Sequence, residues 1–207
     1  MNFDSPVTLL LVIATAIVSW QAWEKPPLLN RLILWPPAID RRREYDRLLG
    51  HGFIHADGVH LAVNMLTLYS FGAVMEGFFT ARIGMVGYFV FYLSAIVVAI
   101  LPSYTRHRHD SGYRSLGASG AVSAVLFSSV LLSPWSKLLL FFIVPMPAIV
   151  FAVLYVGYSM WMEKRGGDNI NHSAHLWGAL YGVAFTLLIE PRVWGVFTQQ
   201  LLSPGGG

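Results

Sequence analysis

Apolar residues run along this chain in long unbroken blocks, and charged residues cluster between them. Charge-free stretches cover residues 5–23, 58–75, 83–105, 115–136, 138–162 and 169–189, with lengths of 19, 18, 23, 22, 25 and 21. A helix needs about 20 apolar residues to cross a bilayer. The pattern predicts six transmembrane helices, over about 7–23, 59–77, 83–101, 116–132, 138–162 and 171–189. The expected fold class is an all-α polytopic membrane protein. Residues 1–190 form a single six-helix domain, and 191–207 a short C-terminal tail whose end, from Ser203, reads as flexible. The first block reads as a retained helix rather than a signal peptide. Its flank Met1-Asn2-Phe3-Asp4 is not basic, and no small-x-small cleavage site follows.

The segments between the blocks differ in character. Trp20 and Trp23 suit a membrane interface at the end of the first span. The connection from Glu24 to about Ala56 is long and mixed, with Pro26-Pro27, Trp35-Pro36-Pro37 and the charge run Asp40-Arg41-Arg42-Arg43-Glu44. Its Leu, Ile and Trp content predicts that it lies in the interface. A polar loop covers Ser103 to Ser115. Pro145 and Pro147 fall inside the fifth block, which predicts a kink or break there and makes that span a candidate for a mobile gate.

Composition narrows the class. The chain has 207 residues, 55% hydrophobic and 12% charged, against about 25% charged in soluble domains. That excludes a soluble globular enzyme, a disordered chain and a coiled coil. Cysteine is absent, so neither a disulfide framework nor thiolate chemistry is available. The net charge is only +3, with no basic stripe for nucleic acid.

Polar groups inside membrane spans are costly and point to function. Three groups stand out. His60 and Asn64 lie four apart near the start of the second span, on one helix face. His55 lies just upstream. Alone, this pair fits ordinary interhelical hydrogen bonding. Gly117-Ala118-Ser119-Gly120 opens the fourth span. Small residues there fit close packing, yet a serine at a helix N-terminus has free N–H groups beside it that can stabilise an oxyanion. In the sixth span His175, Gly178 and Gly182 form one stripe, so a neighbouring helix can approach closely where His175 projects. Together they make a hydroxyl nucleophile, an imidazole base and a pair of side-chain donors. None of the six windows contains Asp or Glu, so a Ser–His dyad is the economical reading.

These residues resemble the rhomboid family of intramembrane serine proteases. The resemblance covers about residues 7–190. It rests on His55-x4-His60-x3-Asn64, Gly117-Ala118-Ser119-Gly120 and Ala174-His175-x2-Gly178-x3-Gly182, with Arg47, His51, Glu76 and Gly84 in support. It implies a six-helix bundle with a long interfacial first loop. Ser119 is then the nucleophile and His175 the general base. His60, Asn64 and the Ser119 backbone N–H form the oxyanion hole. Gly117, Gly120, Gly178, Gly182 and His55 support the site, without metal or cofactor. The family commonly places an aromatic four residues after the nucleophile, to stack on the base. Ser123 stands there, so the orientation of His175 has to come from elsewhere, with Trp177 and Tyr181 as candidates. A second departure is Asp46 before Arg47, where the family often has Trp.

The implied partners are single-span transmembrane substrates and the lipid bilayer. The chain alone does not fix an oligomeric state. One alternative is a pseudoprotease that binds membrane clients without cleaving them. Another is a metal protein built on His51, His55, His60, His172 and His175, although no His-Glu-x-x-His motif occurs. Lysine and arginine number eleven beside the first, third and fifth connections and three on the other side. The positive-inside rule would make the first loop cytoplasmic. The resemblance implies the reverse, and the expectation follows it: a bacterial inner membrane, with the active-site mouth on the non-cytoplasmic side.

Overall fold

The computed structural model describes residues 5–140 and 143–203. Met1–Asp4 and Pro204–Gly207, on which the reading of the first flank and most of the flexible tail rest, lie outside the described residues. Most of what is described is helical. Helix α1 is Pro6–Glu24, started by a proline in its first turn, where no N–H bond is lost. Three short helices follow: α2 (Pro26–Leu32), α3 (Pro36–Arg42) and α4 (Arg47–Gly50), with a 3-10 turn at His51–Phe53. Helix α5 is Gly58–Arg106 and α6 is Ser119–Leu132. A hairpin, β1 (Lys137–Leu140) and β2 (Val144–Pro147), precedes α7 (Ala148–Arg165). Helices α8 (His172–Ile189) and α9 (Arg192–Leu202) complete the chain, bent by 114° at their junction.

Among the described residues, α1 and α5 are long and apolar enough to cross a membrane. The bent pair α8–α9 makes a third if counted as one span. The 49 residues of α5 exceed a single crossing, and the helix breaks once, at Gly84, with φ 74 and ψ 168. A positive φ is cheap only for glycine. The expected short link around Arg82 is therefore helix, and the turn is one residue.

Two expectations are corrected. The fold is mostly helical, as expected of a helical membrane protein, but the fifth span is not helix over all of 138–162, because Lys137 pairs with Pro147 and Leu140 with Val144 in an antiparallel hairpin. Pro145 and Pro147 accordingly lie in β2, so the expected kink or break takes the form of a break. A proline cannot donate to a ladder but is tolerated in an edge strand. Helix α7 begins directly after Pro147 and has no proline inside. The segment after Pro191 is also more than a tail, since α9 folds back across the end of the bundle. There Trp135 donates to the Gln200 carbonyl at 3.0 Å.

The core forms around α6, whose residues Gly120–Ser128 are all buried. Helix α1 buries one face, Thr8, Leu11, Thr15, Ser19 and Ala22, against α5 and the turn that precedes it. Glu76 of α5, 2% exposed, receives the N–H groups of Val7 (2.9 Å) and Thr8 (2.7 Å). A carboxylate there complements the positive end of the α1 dipole. Glu76 lies twelve residues below Asn64, about 18 Å along the helix. It anchors α1 and is remote from the polar groups at the other end. Phe79, Phe91 and Phe185 fill the interior beside it, with ring centroids 4.7–5.6 Å apart.

The connection between α1 and α5 is folded and tied down. Arg47, 5% exposed, donates to the carbonyls of Asn30 (2.7 Å) and Ile33 (2.8 Å) and to Glu44 (2.6 Å). Leu34 exchanges two backbone bonds with Ser115. This segment therefore braces the chain just ahead of Ser119.

Candidate active site

Ser119 is the first residue of α6, and the turn before it is held by three histidines. The Gly117 N–H donates to the His51 carbonyl at 2.9 Å. The Ala118 N–H donates to His55 Nε2 at 3.3 Å. This bond makes Nε2 the acceptor, so His55 Nδ1–H is left to donate to Ser19 Oγ (3.0 Å). Ser19 in turn donates to the Phe53 carbonyl. The chain of donors and acceptors closes with His55 neutral. Burial pushes its pKa down to about 3, and the neighbouring His60 adds to the shift.

His60 is the third. Its main-chain N–H is capped by Asp57 at 2.8 Å, and its ring meets His55 edge to face at 4.9 Å. A Cβ on Gly117 would lie 2.8 Å from His60 Cε1 and 2.9 Å from Nε2. Gly117 also has φ 118. Only glycine fits both the turn and the imidazole against it. Asn64, one turn below His60, donates one side-chain N–H to the His60 carbonyl (2.9 Å) and keeps a second. Gly117 and Ala118 N–H are both engaged. Among the described residues, the N–H groups at the start of α6, from Ser119 onward, are then the free donors of that helix end.

Helix α8 brings His175 to the same place. A Cβ on Gly178 would collide with the Gly120 carbonyl, and one on Gly182 with the Ala124 carbonyl. The two backbones are thus in direct contact along this stripe. A Cβ on Gly120 would lie 3.3 Å from the Ala174 carbonyl oxygen. Ser119 and His175 are the residues adjoining that contact. Among the described residues they are not hydrogen-bonded to each other, and such bonds often tighten only with substrate present.

Two features here were not identified from the sequence. Asn171 caps α8, accepting from Ala174 N–H and Ser103 Oγ, both at 3.0 Å. Its amide donates to Tyr113 OH (2.9 Å) and Ser115 Oγ (3.2 Å). An Asn before an apolar run is a recognisable cap signal, but its other three partners are tertiary. The second feature is the neighbour of His175. Trp177 is 44% exposed. Tyr181 stacks on Phe91 and bonds Ser94. The ring lying over His175 belongs to Tyr155 of α7, with centroids 5.7 Å apart and planes 23° apart. No sequence signal marked it. Among the described residues, no three His, Asp or Glu side chains come together as a metal ion would need.

Fold and site define a helical membrane protein with a serine and a histidine adjoining one backbone contact between two helices. Comparison with known proteins gives the family. Residues 42–192 match the Rhomboid domain, and the chain belongs to the rhomboid family. It is 32% identical over 189 residues to RHOMBOID-like protein 12, mitochondrial, of Arabidopsis thaliana, covering 85% of this chain and 56% of that one. It is 32% identical over 162 residues to Rhomboid protein 1, mitochondrial, of Saccharomyces cerevisiae, covering 76% and 46%. It is 26% identical over 198 residues to human Presenilin-associated rhomboid-like protein, mitochondrial, covering 92% and 50%. The chain thus spans about half the length of these curated relatives. All three names place the relatives in mitochondria, which overturns the expectation of a bacterial inner membrane.

Proposed function

We propose that this chain is a serine endopeptidase acting inside the membrane on single-span membrane proteins, with Ser119 and His175 as its dyad. The observation that carries the reading is the Gly120–Gly178 backbone contact between α6 and α8. It sets the residues before Gly120 and around Ala174 side by side, next to the His60 ring.

In this reading Ser119 Oγ attacks the scissile carbonyl as His175 takes its proton. The tetrahedral oxyanion is received by the Ser119 N–H, His60 and Asn64. His175 then passes the proton to the leaving amine, and water releases the acyl group by the same path. The spans are α1, the two arms of α5, α6, α7 and α8, a six-helix domain over about 1–190. At 14 residues, α6 is about 21 Å long, short of the roughly 30 Å hydrocarbon core. Its first residue therefore sits below one membrane face, reached from the polar ends of α5 and α8.

The test is labelling of the chain with a fluorophosphonate in detergent, alongside cleavage of a single-span reporter in liposomes. The parent is expected to label and cleave, and Ser119→Ala and His175→Ala to do neither. Variants that cleave like the parent would remove the dyad. A folded parent that neither labels nor cleaves would instead leave a client-binding protein without protease activity.

A further inference from the structure

Tyr155 stands where the base needs support, and it reaches there from an unexpected helix. Its ring lies over His175 at 5.7 Å with a 23° interplanar angle. Its hydroxyl is bonded to Ser123 Oγ at 2.6 Å. Ser123 is 3% exposed and lies one turn below Ser119 on α6. Phe127 and Phe151 flank the tyrosine ring, each at 5.6 Å between centroids. On another side of His175, the His172 ring packs edge-on at 5.8 Å and 77°. His172 is itself held by Asp168 at 3.0 Å.

We propose that Tyr155 is the positioning residue of His175, and that Ser123 serves to hold Tyr155 in place. The inference rests on the dyad proposed above. An imidazole on a helix turns about two side-chain bonds. A flat ring against its face removes most of that freedom, and the negative face of the tyrosine favours the imidazolium that forms as Ser119 is deprotonated. The hydroxyl bond to Ser123 fixes the tyrosine relative to the helix that carries the nucleophile. One tether thus sets base and nucleophile in a common frame. It also makes alignment of the base conditional on the docking of α7. That helix fully buries only Ala148, Ala152 and Ser159.

The experiment measures the fluorophosphonate labelling rate at saturating probe, the half-saturating probe concentration, and thermal unfolding in detergent. Tyr155→Ala is expected to lower the saturated rate about tenfold to a hundredfold, the scale on which catalytic misalignment acts. Half-saturation should change little, while the unfolding temperature falls because a packed ring is removed; rates are therefore compared below the unfolding temperature of each variant. Tyr155→Phe keeps the ring but loses the bond to Ser123, and should fall between the parent and Tyr155→Ala; a parental rate in Tyr155→Phe would remove Ser123 from the proposal. The double variant Ser123→Tyr with Tyr155→Ala returns a ring to His175 from α6 and should recover most of the loss. A Tyr155→Ala protein that labels at the parental rate overturns the positioning role and leaves the dyad standing. So does a folded double variant that recovers nothing. A parent that does not label at all overturns the dyad, and this inference with it.

Discussion

Gly117 shows how much of the site is decided by single atoms. Its φ of 118 is a conformation that side chains rarely adopt. Its missing Cβ is also the space the His60 imidazole occupies, at 2.8 Å from Cε1. Gly117→Ala would strain the turn and push His60 away from Ser119 together. We expect a loss of about 1–3 kcal/mol in stability, the cost of a strained backbone position. Labelling should fall by at least the roughly hundredfold that removal of one oxyanion donor costs. Melting in detergent and the labelling rate check the two effects separately. Labelling at the parental rate would show that His60 has no part in oxyanion binding. The glycines were legible in the sequence for a physical reason. A residue without a side chain, repeated on one helical stripe beside a histidine, encodes close approach wherever the partner lies. Tyr155 was not legible, because its only claim on His175 is a contact across helices that no local pattern records.

At the scale of elements, the site depends on how the helix ends are fastened. Asn171 joins the start of α8 to α5 through Ser103 and to the 107–118 connection through Tyr113 and Ser115. Asn171→Ala removes a cap, worth about 0.5–2 kcal/mol, and leaves its partners unsatisfied. The expected result is a lower unfolding temperature and slower cleavage at saturating substrate. Asn171→Asp keeps the acceptor and should recover the cap, with the Tyr113 and Ser115 hydroxyls turned to donate to the carboxylate instead of accepting from the amide. If Asn171→Ala cleaved at the parental rate, α8 would be held by the Gly178 and Gly182 contacts alone. The elements were partly legible. A charge-free window shows that a segment avoids water but not whether its backbone bonds within a helix or across a hairpin. Residues 137–147 took the second course. Their two prolines remove N–H donors that a helix would need and that a two-stranded ribbon can spare. The break of α5 was marked only by Gly84, because Arg82 looked like the end of a span when it is an exposed helical residue.

For the whole molecule, the first connection is tied to the bundle through Leu34 and the His51 carbonyl, and the lowered pKa of its buried histidines predicts sensitivity to acid. His51 is buried, its Nδ1 bonded to the Arg47 carbonyl at 3.1 Å, and burial lowers its pKa to about 4. His55 is lowered to about 3. Both brace the turn before Ser119, through the His51 carbonyl and the His55 ring. In the unfolded chain each would titrate near 6.5. Between that value and the folded pKa the unfolded state binds protons that the native state refuses. Stability from these groups is therefore complete above about pH 7 and declines as pH falls through 6.5, by about 1.4 kcal/mol per pH unit for each fully engaged histidine. The surface carboxylates with lowered pKa act in a different window. Asp110 is held down first by the Gly112 N–H, Asp168 by His172 and Glu190 by Arg192. They lose their contribution only as pH falls below their ordinary values, 3.8 for Asp and 4.5 for Glu. A fall in melting temperature between pH 7 and pH 5 would thus report the histidines. His51→Gln should flatten that slope while lowering stability at pH 7.5, since the amide cannot be charged but fills the site less well. An unchanged slope in His51→Gln and His55→Asn alike would show that neither imidazole carries the acid sensitivity.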